Sequence, residues 1–320
     1  MAYCIGIDLG GTNIVAGIVD KEAQKIICTA KCKTNAKGRT WQEIADDMIQ
    51  CCYNTVEQSK INWNQIESVG IGSPGMVDTK RRMIVFAGNL PFDHCPLADY
   101  IQERLSCPVF IANDADAAAY GEYVAGAGKG SASMVAITLG TGVGSGIIID
   151  GKINNGYGFA GGEIGHTLYQ AGGRQCTCGK RGCLETYASA TGLKLTTKEH
   201  MQANRDSLMW ELCNGDLANI SGKTAFQAMK AGDQEGEAVV REYVQALSEG
   251  VCSIVNLLQP EIVCIGGGVS KEGALLTEPI NEFLDTYAFA RFADRKTKVV
   301  TAELGNDAGI IGAALLGGTR

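Results

Sequence analysis

Residues 5–20 read IGIDLGGTNIVAGIVD, and residues 135–150 read VAITLGTGVGSGIIID. The two stretches align without a gap, with identities at Ile7/Ile137, Leu9/Leu139, Gly10/Gly140, Ile18/Ile148 and Asp20/Asp150. Each is an apolar strand, a turn of glycine and threonine, and a second apolar strand. That is the pattern of a β-hairpin whose tip lets another molecule approach the backbone. Any two glycine-tipped hairpins share some composition, so the identities alone leave coincidence open. Read as a duplication, they predict an α/β chain of two similar lobes that present their hairpin tips to a common cleft.

Working outward, strands alternate with helices. A helix is predicted over 40–59, where Trp41, Ile44, Ala45, Met48, Ile49 and Cys52 share a face. Ser68–Gly72 and Pro108–Ala112 read as strands, and Asp114–Val124 and Leu184–Leu195 as helices. Over 236–258, Val239, Val240, Tyr243, Leu247, Val251, Ile254, Val255 and Leu258 recur at three and four residues, and Pro260 closes the helix. Ile262–Ile265 is a short buried strand that runs into Gly266-Gly267-Gly268.

Composition narrows the function. Of 320 residues, 42 are Gly and 6 Pro, without a Gly-X-Y period, so the glycine belongs to turns and ligand loops rather than to collagen or low-complexity chain. A net charge of −7 disfavours the broad basic face that nucleic acid requires. The stretch Met1–Asp8 lacks the basic start of a secretory signal, and no apolar run reaches the ~18 residues of a membrane span. A cytoplasmic chain is expected, in which the 13 cysteines stay reduced.

Two GxGxxG matches, at 70–75 and 156–161, are weak signals in a chain this rich in glycine; a dinucleotide fingerprint needs a helix opening at the loop, whereas Pro74 and the following MVDTKRRMIVF read as turn and strand. Gly222-Lys223-Thr224 is no phosphate loop, since Leu217 stands where its upstream glycine belongs. Three turns remain as phosphate or nucleotide loops: Gly10-Gly11-Thr12, Gly140-Thr141-Gly142 and Gly266-Gly267-Gly268. Tight turns with no ligand have the same composition. Asp8, at the end of an apolar strand beside the first of them, suits a Mg²⁺ or water ligand.

The sharpest cluster is His166 with Cys176, Cys178 and Cys183, the cysteines reading CTCGKRGC over 176–183. Three thiolates and an imidazole form the four-ligand set of a closed, structural Zn²⁺ site, and His166 is one of only 3 histidines. Glu163 and Glu185 flank the segment 166–183; Glu185 also suits the first turn of a helix. Asn113-Asp114 follows the strand PVFIA, where α/β sites usually lie, yet Asp114 equally suits a helix cap. Local sequence does not separate cap from catalytic base.

Together these residues resemble the ROK family of sugar kinases and sugar-responsive repressors. The match runs through DLGGT (8–12), GIGSPGMVD (70–78), NLP (89–91), NDADAAAYGE (113–122), LGTGVGSG (139–146), GGEIGH (161–166), CTCGKRGCLETYASATG (176–192) and PEIVCIGGGVS (260–270). The resemblance implies an actin-like ATPase fold with two ribonuclease H-like lobes closing on ATP and a hexose. It implies a smaller lobe of residues 1–114 completed by a C-terminal helix near 306–320, and a larger lobe of residues 115–305. By the same resemblance, Asp114 is the general base for the sugar 6-hydroxyl, and Asn113, Glu163, His166 and Glu185 hold the other hydroxyls. Gly75 and Asn89 add sugar contacts, the two hairpin tips hold phosphates, and the triple glycine holds adenosine. His166 then serves both the sugar and the metal.

Family repressors carry a DNA-binding segment before the DLGGT-like stretch, and Asp8 leaves no room for one, so the kinase is expected rather than a non-catalytic sugar sensor. The CxCGxxGC form with EIGH resembles the glucokinases most. N-acetylglucosamine, N-acetylmannosamine and allose stay open as substrates, and the family's habit implies a homodimer or homotetramer.

Overall fold

The computed structural model describes residues 2–318. In chain order the first elements are β1 (Tyr3–Leu9), β2 (Asn13–Asp20), β3 (Lys25–Lys33), α1 (Trp41–Ser59), β4 (Ile66–Ser73), β5 (Met76–Asp78), β6 (Met83–Ala87), β7 (Phe92–Cys95), α2 (Leu97–Leu105), β8 (Val109–Asn113) and α3 (Asp114–Ala125). There follow β9 (Ser133–Leu139), β10 (Val143–Ile149), β11 (Lys152–Ile153), α4 (Glu185–Ala188), α5 (Ala190–Ala203), α6 (Met209–Leu212), α7 (Thr224–Lys230), α8 (Gln234–Leu258), β12 (Ile262–Gly267), α9 (Ala274–Tyr287), β13 (Lys298–Thr301) and α10 (Ala308–Leu315). The expected C-terminal helix is thus present as α10; residues 319 and 320 lie outside the described residues.

Two five-stranded sheets repeat one plan. Their orders are β3-β2-β1-β4-β8 and β11-β10-β9-β12-β13, so each runs third, second, first, fourth, fifth in its own count. Shared topology is a stronger sign of duplication than five identities, because chance resemblance between hairpins does not dictate where the fourth and fifth strands go. In the first sheet β1 and β2 pair antiparallel, whereas β1, β4 and β8 run parallel. A three-stranded sheet, β5-β6-β7, is inserted between β4 and α2.

The chain divides into two compact units. One comprises the chain up to Ala136, Gly146–Gly162 and everything from Glu303; the other comprises Ile137–Ser145 and Glu163–Ala302. The return of Glu303 onward to the first unit follows from the packing of α10. On β1 the odd residues Ile5, Ile7 and Leu9 join a core with Ile44 and Met48 of α1, while Cys4 on the opposite face packs with Ile310 and Ile311 of α10. Gly6 and Gly70 make room for that helix: a Cβ on either would stand 1.9 Å from Ile310 O or 1.7 Å from Ala313 O. Alternation therefore turns Asp8 toward α10 as well.

Among the helices, α1 begins at a capping box in which Thr40 accepts from Glu43 N and Glu43 reaches back to Thr40 N. Asp233 caps α8, and Gln259 ends it in the left-handed region. Most of the periodic face of α8 is buried, but Leu258 is 41% exposed, lying in the last turn beyond the reach of the core.

The stretch 184–195 differs from the single helix expected. It is two helices, α4 and α5, broken at Ser189, whose extended backbone lets its hydroxyl accept from Gly192 N as the cap of α5. The break has a tertiary cause: Ala190 N donates to Gly140 O at 2.9 Å, and the Thr191 hydroxyl donates to Thr141 O at 2.7 Å. Among the described residues, no helix is long and apolar enough to cross a membrane.

Candidate active site

The predicted site residues gather in two sets, one in each unit. In the first unit, parallel register sets Asp8 beside Gly72 and Gly72 beside Ala112, so the C-terminal ends of β1, β4 and β8 lie level. Asp114 is the first residue of α3. Its role as cap is excluded by geometry: Asn113, with φ −62° and ψ 151°, is the N-cap, and its Oδ1 accepts from Ala115 N at 2.8 Å and Asp116 N at 3.3 Å. Asn113 Nδ2 also donates to Gly75 O at 2.9 Å, which ties the end of β8 to the turn before β5.

Asp114 accepts from Ala115 N at 2.9 Å, and among the described residues its hydrogen bonds go no further than its immediate neighbours. Burial pushes its carboxyl above the ordinary carboxylate value. Asp8 is raised too, first by burial and then by the charge of Asp114. Two carboxyls that resist ionising side by side are suited to sharing a cation or a proton.

At the first hairpin tip, Gly10 N donates to Asn13 O at 2.8 Å, closing the turn. Thr34, fully buried, pins the tip from β3's far end: its hydroxyl donates to Gly10 O at 2.7 Å and its N–H to Thr12 O at 3.0 Å. Nothing in the local sequence around Thr34 marks it, because its role depends on a strand two places along the sheet. Asn89 reaches the same tip, 3.0 Å from where a Gly11 Cβ would stand.

In the second unit, Glu163 is exposed and its backbone carbonyl accepts from His166 N at 3.0 Å, whereas the side chain of Glu185 is engaged by another segment. Glu185 Oε2 accepts from Val143 N at 3.0 Å, and its Oε1 lies 3.8 Å from Cys176 Sγ. Gly142 leaves room for that carboxylate: a Cβ there would come within 2.2 Å of Glu185 Oε2 and displace it. Gly140 N donates to Gly142 O at 3.0 Å, a closure one residue tighter than that of the first hairpin tip. In the triple glycine, Gly267 has φ +90° and its Cβ would stand 2.3 Å from Leu139 O. The backbone at that turn therefore lies directly against the end of β9.

The four predicted metal ligands converge, with all donor atoms within 4.8 Å of one another. Cys176 Sγ is 3.6 Å from His166 Nδ1, and Cys178 Sγ is 3.6 Å from Cys183 Sγ. Two sulfurs on a tetrahedral zinc stand about 3.8 Å apart, and a sulfur and a nitrogen about 3.6 Å, so the donor spacing and chemistry fit that ion. The loop is held by its own backbone: Cys176 N donates to Lys180 O at 2.9 Å and Gly179 N to Cys176 O at 3.1 Å. Burial pushes the Cys183 thiol up to about 12, while the Lys180 N–H lowers that of exposed Cys178.

A model of the ROK family matches residues 4–319. The chain belongs to the ROK family. A ROK relative, the glucokinase of Streptomyces coelicolor, is 36% identical over 316 residues, which is 98% of this chain and 97% of the relative. The glucokinase of Thermotoga maritima is 35% identical over 313 residues, 97% of this chain and 95% of that one. A crystal structure of a ROK family glucokinase from Streptomyces griseus, in complex with glucose and AMPPNP, superposes with a TM-score of 0.79 at 36% identity, covering 98% of this chain and 99% of that one. The architecture is accordingly the actin-like ATPase fold of the ROK kinases.

Proposed function

We propose that this chain transfers the γ-phosphoryl group of ATP to the 6-hydroxyl of glucose. The observation that carries the reading is likeness along 98% of the chain to a ROK glucokinase that holds glucose and AMPPNP. The geometry of Asp114 agrees with it: a carboxylate released from capping by Asn113, lodged where its pKa is raised, suits a general base.

Phosphoryl transfer asks the protein for position and for charge rather than for covalent chemistry. In this reading Asp114 takes the proton from the 6-hydroxyl as it attacks. Asn113, Glu163, His166 and Glu185 accept from or donate to the remaining hydroxyls, with Gly75 and Asn89 completing the sugar's surroundings. The tips Gly10-Gly11-Thr12 and Gly140-Thr141-Gly142 hold the phosphates, through amides other than those of Gly10 and Gly140, which close their own turns, and Gly266, Gly267 and Gly268 hold the adenosine. Mg²⁺ bound with ATP would offset phosphate charge, and Asp8 would be the residue to hold it or its water.

The second metal of the reading is Zn²⁺, held by His166, Cys176, Cys178 and Cys183. Three sulfurs and one nitrogen leave no position open for substrate, so its role is to hold the 166–183 segment that carries His166 and leads into Glu185. By family resemblance the chain is also read as a cytoplasmic homodimer or homotetramer, for which light scattering of the purified protein is the test. For the reaction itself, the test is a coupled assay of ATP consumption across a panel of hexoses, in which glucose gives the highest kcat/KM.

A further inference from the structure

Glu122, in the last turns of α3, is 3% exposed, yet among the described residues its carboxylate is met by backbone N–H groups rather than by a cation. Ala127 N and Glu303 N donate to Oε2, both at 3.1 Å, and Leu304 N donates to Oε1 at 2.8 Å. A carboxylate buried this deeply is costly unless each oxygen is satisfied, and charged hydrogen bonds of this kind are among the stronger ones. The turn leaving α3 is shaped around it, since a Cβ on Gly126 would stand 2.1 Å from Oε2.

The two distant donors, Glu303 and Leu304, are the residues with which the chain re-enters the first unit, directly ahead of α10. That helix is in close backbone contact with α3: a Cβ on Gly121 would stand 2.1 Å from Ala308 O, and one on Gly312 1.7 Å from Ala117 O. In its first turn, a Cβ on Gly309 would stand 3.5 Å from the carboxyl carbon of Asp8. One carboxylate thus fastens the helix that begins with Asp114 to the lead-in of the helix that begins beside Asp8.

We propose that Glu122 is a positioning residue for phosphoryl transfer, holding the lead-in to α10 so that Asp8 and Asp114 keep their mutual placement. The proposal rests on the kinase reading above. It differs from a purely stabilising role in what it predicts for rate.

The test compares Glu122→Gln and Glu122→Asp with Ile101→Val, a core change in α2 that lowers stability away from the site. In Glu122→Gln an amide NH₂ replaces one acceptor and faces backbone donors. Its kcat falls at least about tenfold with the hexose KM within about twofold, because misplacement by a fraction of an ångström is felt in the transition state rather than in sugar binding. Hydrogen exchange of the amides of 303–310 accelerates. Glu122→Asp keeps the charge and recovers part of the rate, and Ile101→Val loses melting temperature while keeping kcat. A kcat loss no larger than that of Ile101→Val at equal loss of melting temperature overturns positioning, and unchanged exchange at 303–310 overturns the anchor itself. A wild-type chain that turns over no hexose sinks the kinase reading and the positioning role of Glu122 with it, while the exchange arm still reports separately on the anchor.

Discussion

Glu185 and Val143 are joined directly, the carboxylate Oε2 of one accepting the backbone N–H of the other at 3.0 Å. Through this bond the helix that follows the cysteine segment holds the second hairpin tip, and Oε1 of the same side chain lies 3.8 Å from Cys176 Sγ. The segments proposed to serve sugar, phosphate and metal, which the sequence distributes over three motifs, meet at one side chain. Glu185→Gln is expected to raise the KM for both substrates, glucose by about tenfold to a hundredfold, as the loss of one charged hydrogen bond implies. Initial-rate kinetics with each substrate varied in turn checks this, and an effect confined to glucose would show that the tip does not depend on Glu185.

Asp114→Asn separates stability from catalysis. The carboxyl titrates above its ordinary value in the folded chain, so folding favours its protonated form. The stability this gives is present at low pH and is lost as pH rises through the raised value, above which the ionised form carries the cost of burial. Asparagine removes that cost while keeping the acceptor for Ala115 N. The variant is expected to melt at a higher temperature at pH 7, to bind glucose, and to lose about 10²–10⁴ in kcat. In the wild type, kcat/KM should fall toward acid with an apparent pKa above 3.8. Turnover by the variant near the wild-type rate would sink the base assignment.

The metal reading makes a separate prediction. Wild-type protein is expected to carry about one zinc per chain by atomic emission, and Cys178→Ser to carry far less. Because the 166–183 segment bears His166 and precedes Glu185, metal loss should raise the glucose KM more than the ATP KM. Full zinc content in the variant would contradict this ligand set.

Much of this was legible from the chain alone, for physical reasons that differ by element. The hairpins at 5–20 and 135–150 announce themselves because strand alternation and glycine tips are local properties. The metal set is legible because histidine is scarce and the cysteines are closely spaced. The break at Ser189 was not, since it exists to deliver Ala190 N to Gly140 O, a contact between residues fifty apart. Likewise Asn113 and Asp114 are both good caps, and only the backbone angles of Asn113 decide between them. Thr34 and Glu122 carry no motif that marks their roles, because their partners at 10–12 and 303–304 are brought to them by sheet order and helix packing.

The most direct test of the account is a coupled assay with ATP and Mg²⁺ over glucose, N-acetylglucosamine, N-acetylmannosamine, mannose, allose and fructose, with the product's phosphate located by ³¹P NMR. The account predicts glucose 6-phosphate, formed with the highest kcat/KM of the panel. A higher kcat/KM on an N-acetylated hexose or on allose would keep the chemistry and replace the substrate. Binding of glucose without turnover of any hexose would contradict the kinase and leave a sugar sensor.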